Sequence, residues 1–89
     1  MKVEFRKSFI RDLRRHARDT MLLSRVQKII QNVETIDDPL DMGDLKKLKA
    51  EGSYFRIRVG NYRIGLIIEK DTAIFVRLLD RREIYRHFP

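Results

Sequence analysis

The stretch Tyr54-Phe55-Arg56-Ile57-Arg58-Val59-Gly60-Asn61-Tyr62-Arg63 decides how the rest of this 89-residue sequence is read. Side chains alternate across an extended strand, so Phe55, Ile57 and Val59 share one side while Tyr54, Arg56 and Arg58 share the other. Gly60-Asn61 is a two-residue hairpin signal, because both residue types tolerate the positive φ that such turns require. With those two residues as the loop, Val59 faces Tyr62, Arg58 faces Arg63, Ile57 faces Ile64 and Arg56 faces Gly65. One face of the hairpin is then apolar and the other is arginine. Directly opposed like charges cost about 0.2 to 1 kcal/mol relative to a neutral pair, so folding alone gives no reason to set Arg58 against Arg63. A merely solvated face would interleave acids with these arginines, and the strand pattern puts none on this side before Glu69. The pattern points to a site for an anion.

Working outward, the segments on either side supply a backing for that hairpin. Lys2 to Arg6 alternates as a half-buried strand should, with Val3 and Phe5 on one side. Ser8 can cap a first helix whose Phe9, Ile10, Leu13 and Ala17 fall together, leaving Arg11, Arg14, Arg15 and Arg18 to water or to a second basic patch. Asp19 or Thr20 can cap a second helix, in which Leu22, Val26, Ile29, Val33 and Ile36 repeat at helical spacing with Leu23 and Ile30 widening the stripe. Asp37-Asp38-Pro39 ends it. Leu45 to Lys49 is read as a short strand, although Leu45 and Leu48 would also suit one helical turn. After the hairpin, Ile64 to Ile68 and Ala73 to Leu79 are nearly all apolar, as in strands buried on both faces. The length of the loop at Lys70-Asp71-Thr72 is not fixed by sequence, so the face taken by Arg77 stays open. The expected architecture is α+β in a single domain, residues 1–89: an N-terminal strand, an antiparallel two-helix hairpin, then an antiparallel β-meander with the helices packed on one face.

Composition narrows the function. The net charge is +7, which favours a polyanion or an acidic protein as partner. That charge is uneven: residues 1–18 carry a net +5 and residues 19–44 a net −4, with basic charge returning afterwards. There is no cysteine and only two histidines, so neither a disulfide framework nor a convincing metal site is expected, and no cofactor is called for. No stretch approaches the roughly 18 apolar residues of a membrane span, and the expectation is a cytoplasmic protein.

The tail from Asp80 to Pro89 brings Arg81, Arg82 and Tyr85 toward the end of the sheet. With Arg56, Arg58 and Arg63 this makes a guanidinium-rich site with one phenol and no evident carboxylate–histidine pair. Arginine's rigid fork matches phosphate oxygens and stays charged, which suits a phosphodiester and makes it a poor proton acceptor. Proton transfer then falls to Tyr85, to His87 or to the substrate.

The segments Leu45-Lys46-Lys47-Leu48, Tyr54 to Ile64, and Asp80-Arg81-Arg82-Glu83-Ile84-Tyr85 resemble the RelE/ParE toxins of bacterial and archaeal toxin–antitoxin systems, a resemblance that covers nearly the whole chain. It implies the RelE-like fold and, in the RelE branch, a ribosome-dependent endoribonuclease that cuts messenger RNA in the ribosomal A site. By that resemblance Arg63, Arg81 and Tyr85 are the catalytic residues, and Arg56, Arg58, Arg82, Lys46 and Lys47 contact RNA. The family's chemistry is attack of an RNA 2′-hydroxyl on the adjacent phosphorus, with arginines stabilising the phosphorane. Two features depart from familiar members. The first-strand basic residues are arginines where lysine is common, and the Glu-plus-terminal-His arrangement of a related branch is not evident. Glu83 is expected to be an ion-pair partner and His87 a surface histidine. The resemblance also implies a cognate antitoxin and a toxin–antitoxin hetero-oligomer, with mRNA and the ribosome as targets. A ParE-like poison of DNA gyrase and a non-catalytic RNA- or ribosome-binding domain are the alternatives.

Overall fold

A computed structural model describes residues 1–48 and 52–89. Within them the chain runs β1 (Lys2–Phe5), α1 (Lys7–Arg15), α2 (Thr20–Thr35), a 3-10 turn (Pro39–Asp41), β2 (Leu45–Lys47), β3 (Tyr54–Val59), β4 (Tyr62–Glu69), β5 (Thr72–Asp80) and α3 (Ile84–His87). The hairpin has the register its turn dictates, with Val59 opposite Tyr62, Arg58 opposite Arg63, Ile57 opposite Ile64 and Arg56 opposite Gly65. Of the two loop residues only Gly60 takes a positive φ, 58°, as in the hairpin turn that needs glycine first. The sequence reading had both residues sharing that requirement. β2 forms as a strand, and its expected end at Lys49 lies outside the described residues.

The five strands make one sheet in the order β1-β5-β4-β3-β2. β2 to β5 form the expected antiparallel meander. β1 instead runs parallel to β5, Lys2 beside Thr72 and Phe5 beside Phe75, so the sheet is mixed. On one face Phe9 of α1 and Leu22, Val26 and Val33 of α2 bury against Ile57, Val59, Ile64, Leu66, Ala73, Phe75 and Leu78. Each such side chain except Ala73 contributes about 1.5–3 kcal/mol when removed from water. α2 starts at Asp19, whose carboxylate accepts the Leu22 N–H at 3.1 Å.

α1 departs from its expected face. Ser8 lies inside the helix and does not cap it; its hydroxyl donates to the Val76 carbonyl at 2.6 Å. Ile10 and Ala17 are exposed, while Asp12 is 2% exposed. The reason is a sheet edge. β1 ends beside Phe75, so the rest of β5 has no strand on that side, and unpaired backbone groups must find other partners. Asp12 accepts the Leu78 N–H at 2.9 Å and also the Arg77 guanidinium, through Nε at 2.8 Å and Nη2 at 3.3 Å. A bulge assists: Gly65 pairs with Arg77 and Leu66 with Phe75, leaving Val76 over. This answers where Arg77 goes.

The chain closes on the opposite face. Gly65 sits between core-facing Ile64 and Leu66, so its own side looks away from α1 and α2. A Cβ there would come within 2.6 to 2.9 Å of the Phe88 ring. Phe88 and Ile84 are buried outside the main core, and the Tyr54 ring stands edge-on to Phe88 at 5.8 Å. Helices on one face therefore describes α1 and α2 only; α3 adds a small third layer that the sequence reading did not include.

Candidate functional site

Cross-strand neighbours share a face, so the register lays out the site directly. Lys46, Arg56 and Gly65 form one row across β2, β3 and β4; Arg58, Arg63 and Leu79 form the next across β3, β4 and β5. Lys47 pairs with Phe55, on the helix-covered side. The two-residue period of the strand thus turns Lys47 away from the arginine face, although the resemblance implied that it contacts RNA together with Lys46.

Arg63 is the hub. Its Nη1 donates to the carbonyls of Gly60 and Tyr62, each at 2.9 Å, which folds the side chain back against the turn. The Nε and Nη2 edge has no partner among the described residues, and this is the edge that can fork onto two phosphate oxygens. Burial first, then the positive charge of Arg56 and, more weakly, of Arg58 and Arg81, hold the Arg63 guanidinium below its ordinary pKa, while the Tyr85 phenol acts in the opposite direction. The register sets Arg58 opposite Arg63 with Arg56 in the next row, and the charges of Arg81 and Tyr85 are also felt at Arg63. Tyr85 is 63% exposed, an aromatic ring left in solvent beside guanidiniums, and so open to stacking by a base. Arg81 is tied in through its backbone, whose N–H donates to the Asn61 carbonyl at 2.9 Å.

Arg82 is partly committed elsewhere. Its backbone N–H and its Nε both donate to Asp80 Oδ1, at 2.9 and 3.2 Å. The first of these bonds holds the Asp80 carboxyl below its usual range; desolvation, next in size, opposes it, and the Arg82 side chain and the Arg82 and Arg81 charges add to the lowering.

Two acids change the sequence reading of the site. Asp44 lies beside the face that was expected to carry no acid before Glu69: its carboxylate is 3.6 Å from Arg58 Nη2, and its carbonyl accepts Arg56 Nη1 at 3.3 Å. Both carboxylate and guanidinium are more than half exposed, so the pair is worth less than about 1 kcal/mol and leaves Arg58 available. The signal that could have found Asp44 is the β2 register. Once Leu45 pairs with Ile57, the residue before Leu45 falls next to Arg58. Arg56 Nε is buried with no hydrogen-bond partner among the described residues, an unmet donor that costs about 1–3 kcal/mol and favours an incoming acceptor.

The second acid is Glu83, whose Oε2 lies 3.2 Å from His87 Nε2 and whose Oε1 lies 4.0 Å from Arg86 Nη1. A carboxylate–histidine pair therefore exists, contrary to expectation, brought together by i,i+4 spacing on α3. Tyr85 and His87 stand about 200° apart around the helix, so the side of α3 that shows Tyr85 to Arg63 turns His87 away. Glu83 has the ion-pair role expected of it. Among the described residues no group of three or more His, Cys, Asp or Glu could hold a metal ion, and no helix is long and apolar enough to cross a membrane.

Comparison with known proteins gives the same outline. The family model for the ParE toxin of type II toxin–antitoxin system, parDE, matches residues 3–85. Toxin RelE3 of Methanocaldococcus jannaschii is 43% identical over 93 aligned positions that cover 100% of both chains. The crystal structure of the RelB-RelE antitoxin-toxin complex from Methanococcus jannaschii contains a chain that matches with a TM-score of 0.75 at 39% identity, covering 97% of this chain and 99% of that one. YafQ from E. coli matches with a TM-score of 0.77 at 10% identity, covering 94% of this chain and 97% of that one, a likeness of fold alone. The chain belongs to the RelE/ParE superfamily of type II toxin–antitoxin toxins.

Proposed function

We propose that this toxin is a ribosome-dependent endoribonuclease that cleaves mRNA in the A site. The observation that carries the reading is the arginine face of the hairpin, with Arg58 opposite Arg63, Arg56 in the next row and the Arg81 backbone tied to the turn through the Asn61 carbonyl; Tyr85 adds a phenol whose charge is felt at Arg63. In the reaction the 2′-oxygen of one nucleotide bonds to the adjacent phosphorus while the bond from phosphorus to the 5′-oxygen breaks, leaving a 2′,3′-cyclic phosphate. Tyr85 takes the 2′-hydroxyl proton and stacks on a base; the leaving oxygen is protonated by solvent or by the ribosome. Arg63, through the Nε and Nη2 edge that has no partner among the described residues, and Arg81 meet the charge that builds on the phosphorane, the electrostatic role that is often the largest in catalysis. Arg56, Arg58 and Lys46 hold the strand to either side. Lys47 joins them only by reaching around the edge strand, and Arg82 only through the part of its guanidinium that Asp80 leaves free.

The partner is an antitoxin in a toxin–antitoxin hetero-oligomer. Support comes from the RelB-RelE complex of the structural relative and from a +7 charge suited to rapid association with an acidic chain. The compartment is the cytoplasm. A second reading, poisoning of DNA gyrase, is favoured by the ParE family model itself. Purified protein incubated with programmed ribosomes should cut the message at A-site codons and leave supercoiled DNA unbroken in the presence of gyrase. Intact message together with gyrase-dependent breaks would reverse the choice. Arg81→Ala and Tyr85→Ala should each abolish growth inhibition while retaining antitoxin binding.

A further inference from the structure

The two-residue turn Gly60-Asn61 holds more of the site than its own side chains suggest. On one side Arg63 Nη1 binds the Gly60 carbonyl, and the Arg81 N–H binds the Asn61 carbonyl. On the other side stands a second guanidinium, that of Arg25 from α2, whose Nη1 lies 3.0 Å from where a Cβ of Gly60 would be. Any larger residue at position 60 would displace it. Arg25 makes no hydrogen bond or ion pair among the described residues, although it packs against a backbone turn. A cavity of about 260 Å³ opens beside it, walled by Met21, Asn61 and Tyr62. That is a little under the size of a drug-sized ligand pocket and suits a single base. Met21 is 71% exposed at its mouth. Asp19 also lines it, but that carboxylate accepts the Leu22 N–H that caps α2.

We propose that Arg25 and this cavity form a flanking-nucleotide subsite, in which the RNA strand bends around the hairpin turn from the Arg63 face and places its next phosphate on Arg25 and the attached base against Met21 and Tyr62. The inference rests on the RNA reading above and adds a residue from a different element. Its logic is geometric: the turn separates Arg63 from Arg25, each in contact with Gly60, so one strand can engage both only by crossing the turn. Arg25 is a positioning residue under this scheme, and the reacting phosphate stays with Arg63.

The test is binding of a short fluorescein-labelled single-stranded RNA to the purified full-length chain, followed by anisotropy over a series of salt concentrations. Arg25→Ala should weaken binding by about 3- to 10-fold and make the slope of log affinity against log salt shallower by about 0.7, the value for one lost phosphate contact on a single strand. Arg25→Lys should recover most of the slope. Met21→Glu, at an exposed position that leaves folding unaffected, should weaken binding by a similar factor. On ribosomes, Arg25→Ala should raise KM more than it lowers kcat, the signature of lost strand positioning. Wild-type affinity and slope in both Arg25→Ala and Met21→Glu, with Arg63→Ala weakened, would overturn the subsite and leave the RNA reading standing. Wild-type behaviour in all three, Arg63→Ala included, would remove the RNA reading itself.

Discussion

Arg63 performs two tasks with one side chain, and lysine can perform only one of them. Its Nη1 locks the turn, while its Nε and Nη2 edge has no partner among the described residues and takes the phosphate in the proposed reaction. An ammonium is a point charge without that fork. Arg63→Lys should therefore retain RNA affinity within a few-fold yet lose about 10²-fold or more in single-turnover cleavage, the range seen when one preorganised donor is removed. Tyr85→Phe separates the two tasks given to the phenol. If the hydroxyl takes the proton, kcat falls while KM holds; if stacking alone matters, neither changes. Asp80 gives a pH prediction whose sign is fixed. Its carboxyl is held below the usual range, so the ordering it gives the start of the tail is present above the ordinary aspartate pKa of about 3.9 and is lost as pH falls through the lower native value. The Arg82 amide resonance should shift along that acid titration, and in Asp80→Asn it should not.

At the scale of elements, the tail is positioned by a missing side chain. Gly65 lets Phe88 lie flat on β4, and Phe88 in turn seats α3 with Tyr85 on it. Gly65→Ala forces the ring away and should cost about 1–3 kcal/mol, as overpacking does, measured as a lower denaturation midpoint. It should also reduce toxicity, although Gly65 has no side chain with which to contact RNA. Adding Phe88→Leu should recover part of the stability, and a purely additive double mutant would count against the packing explanation. The same comparison shows what the sequence could and could not reveal. The hairpin was legible down to individual pairs because Gly60-Asn61 and the alternation of β3 each specify the register. The stripe of α2 was legible because helical periodicity persists over 16 residues. α3 has four residues, too few for periodicity to register, and its form follows from Phe88 docking on a glycine that sequence marks only as small. Asp12 carries no local signal in the sequence, because its partners, Arg77 and the Leu78 N–H, lie more than sixty positions away. Of the site, Arg56, Arg58 and Arg63 were readable from strand alternation. Arg25 was not, since nothing local ties α2 to the hairpin turn.

For the whole molecule, the Asp12–Arg77 pair is where the helical layer is fastened to the free edge of the sheet. Asp12→Ala leaves Arg77 without its carboxylate and the Leu78 N–H without an acceptor, and should destabilise by about 3–5 kcal/mol, as breaking one side of a buried pair does. Exchange of the Leu78 amide should accelerate in step with that loss. The parallel pairing of β1 with β5 has a further consequence, in time as opposed to space. Lys2 waits for Thr72 and Phe5 for Phe75, so the first strand made has no neighbour until nearly the last one exists. Contacts this distant along the chain slow folding, and at a synthesis rate of about 5–20 residues per second the delay alone amounts to several seconds. Arg81 and Tyr85 emerge later still. A translating ribosome thus finishes most of this chain before the sheet can close, and the interval gives a chaperone or an antitoxin made beside it time to arrive before the fold is complete.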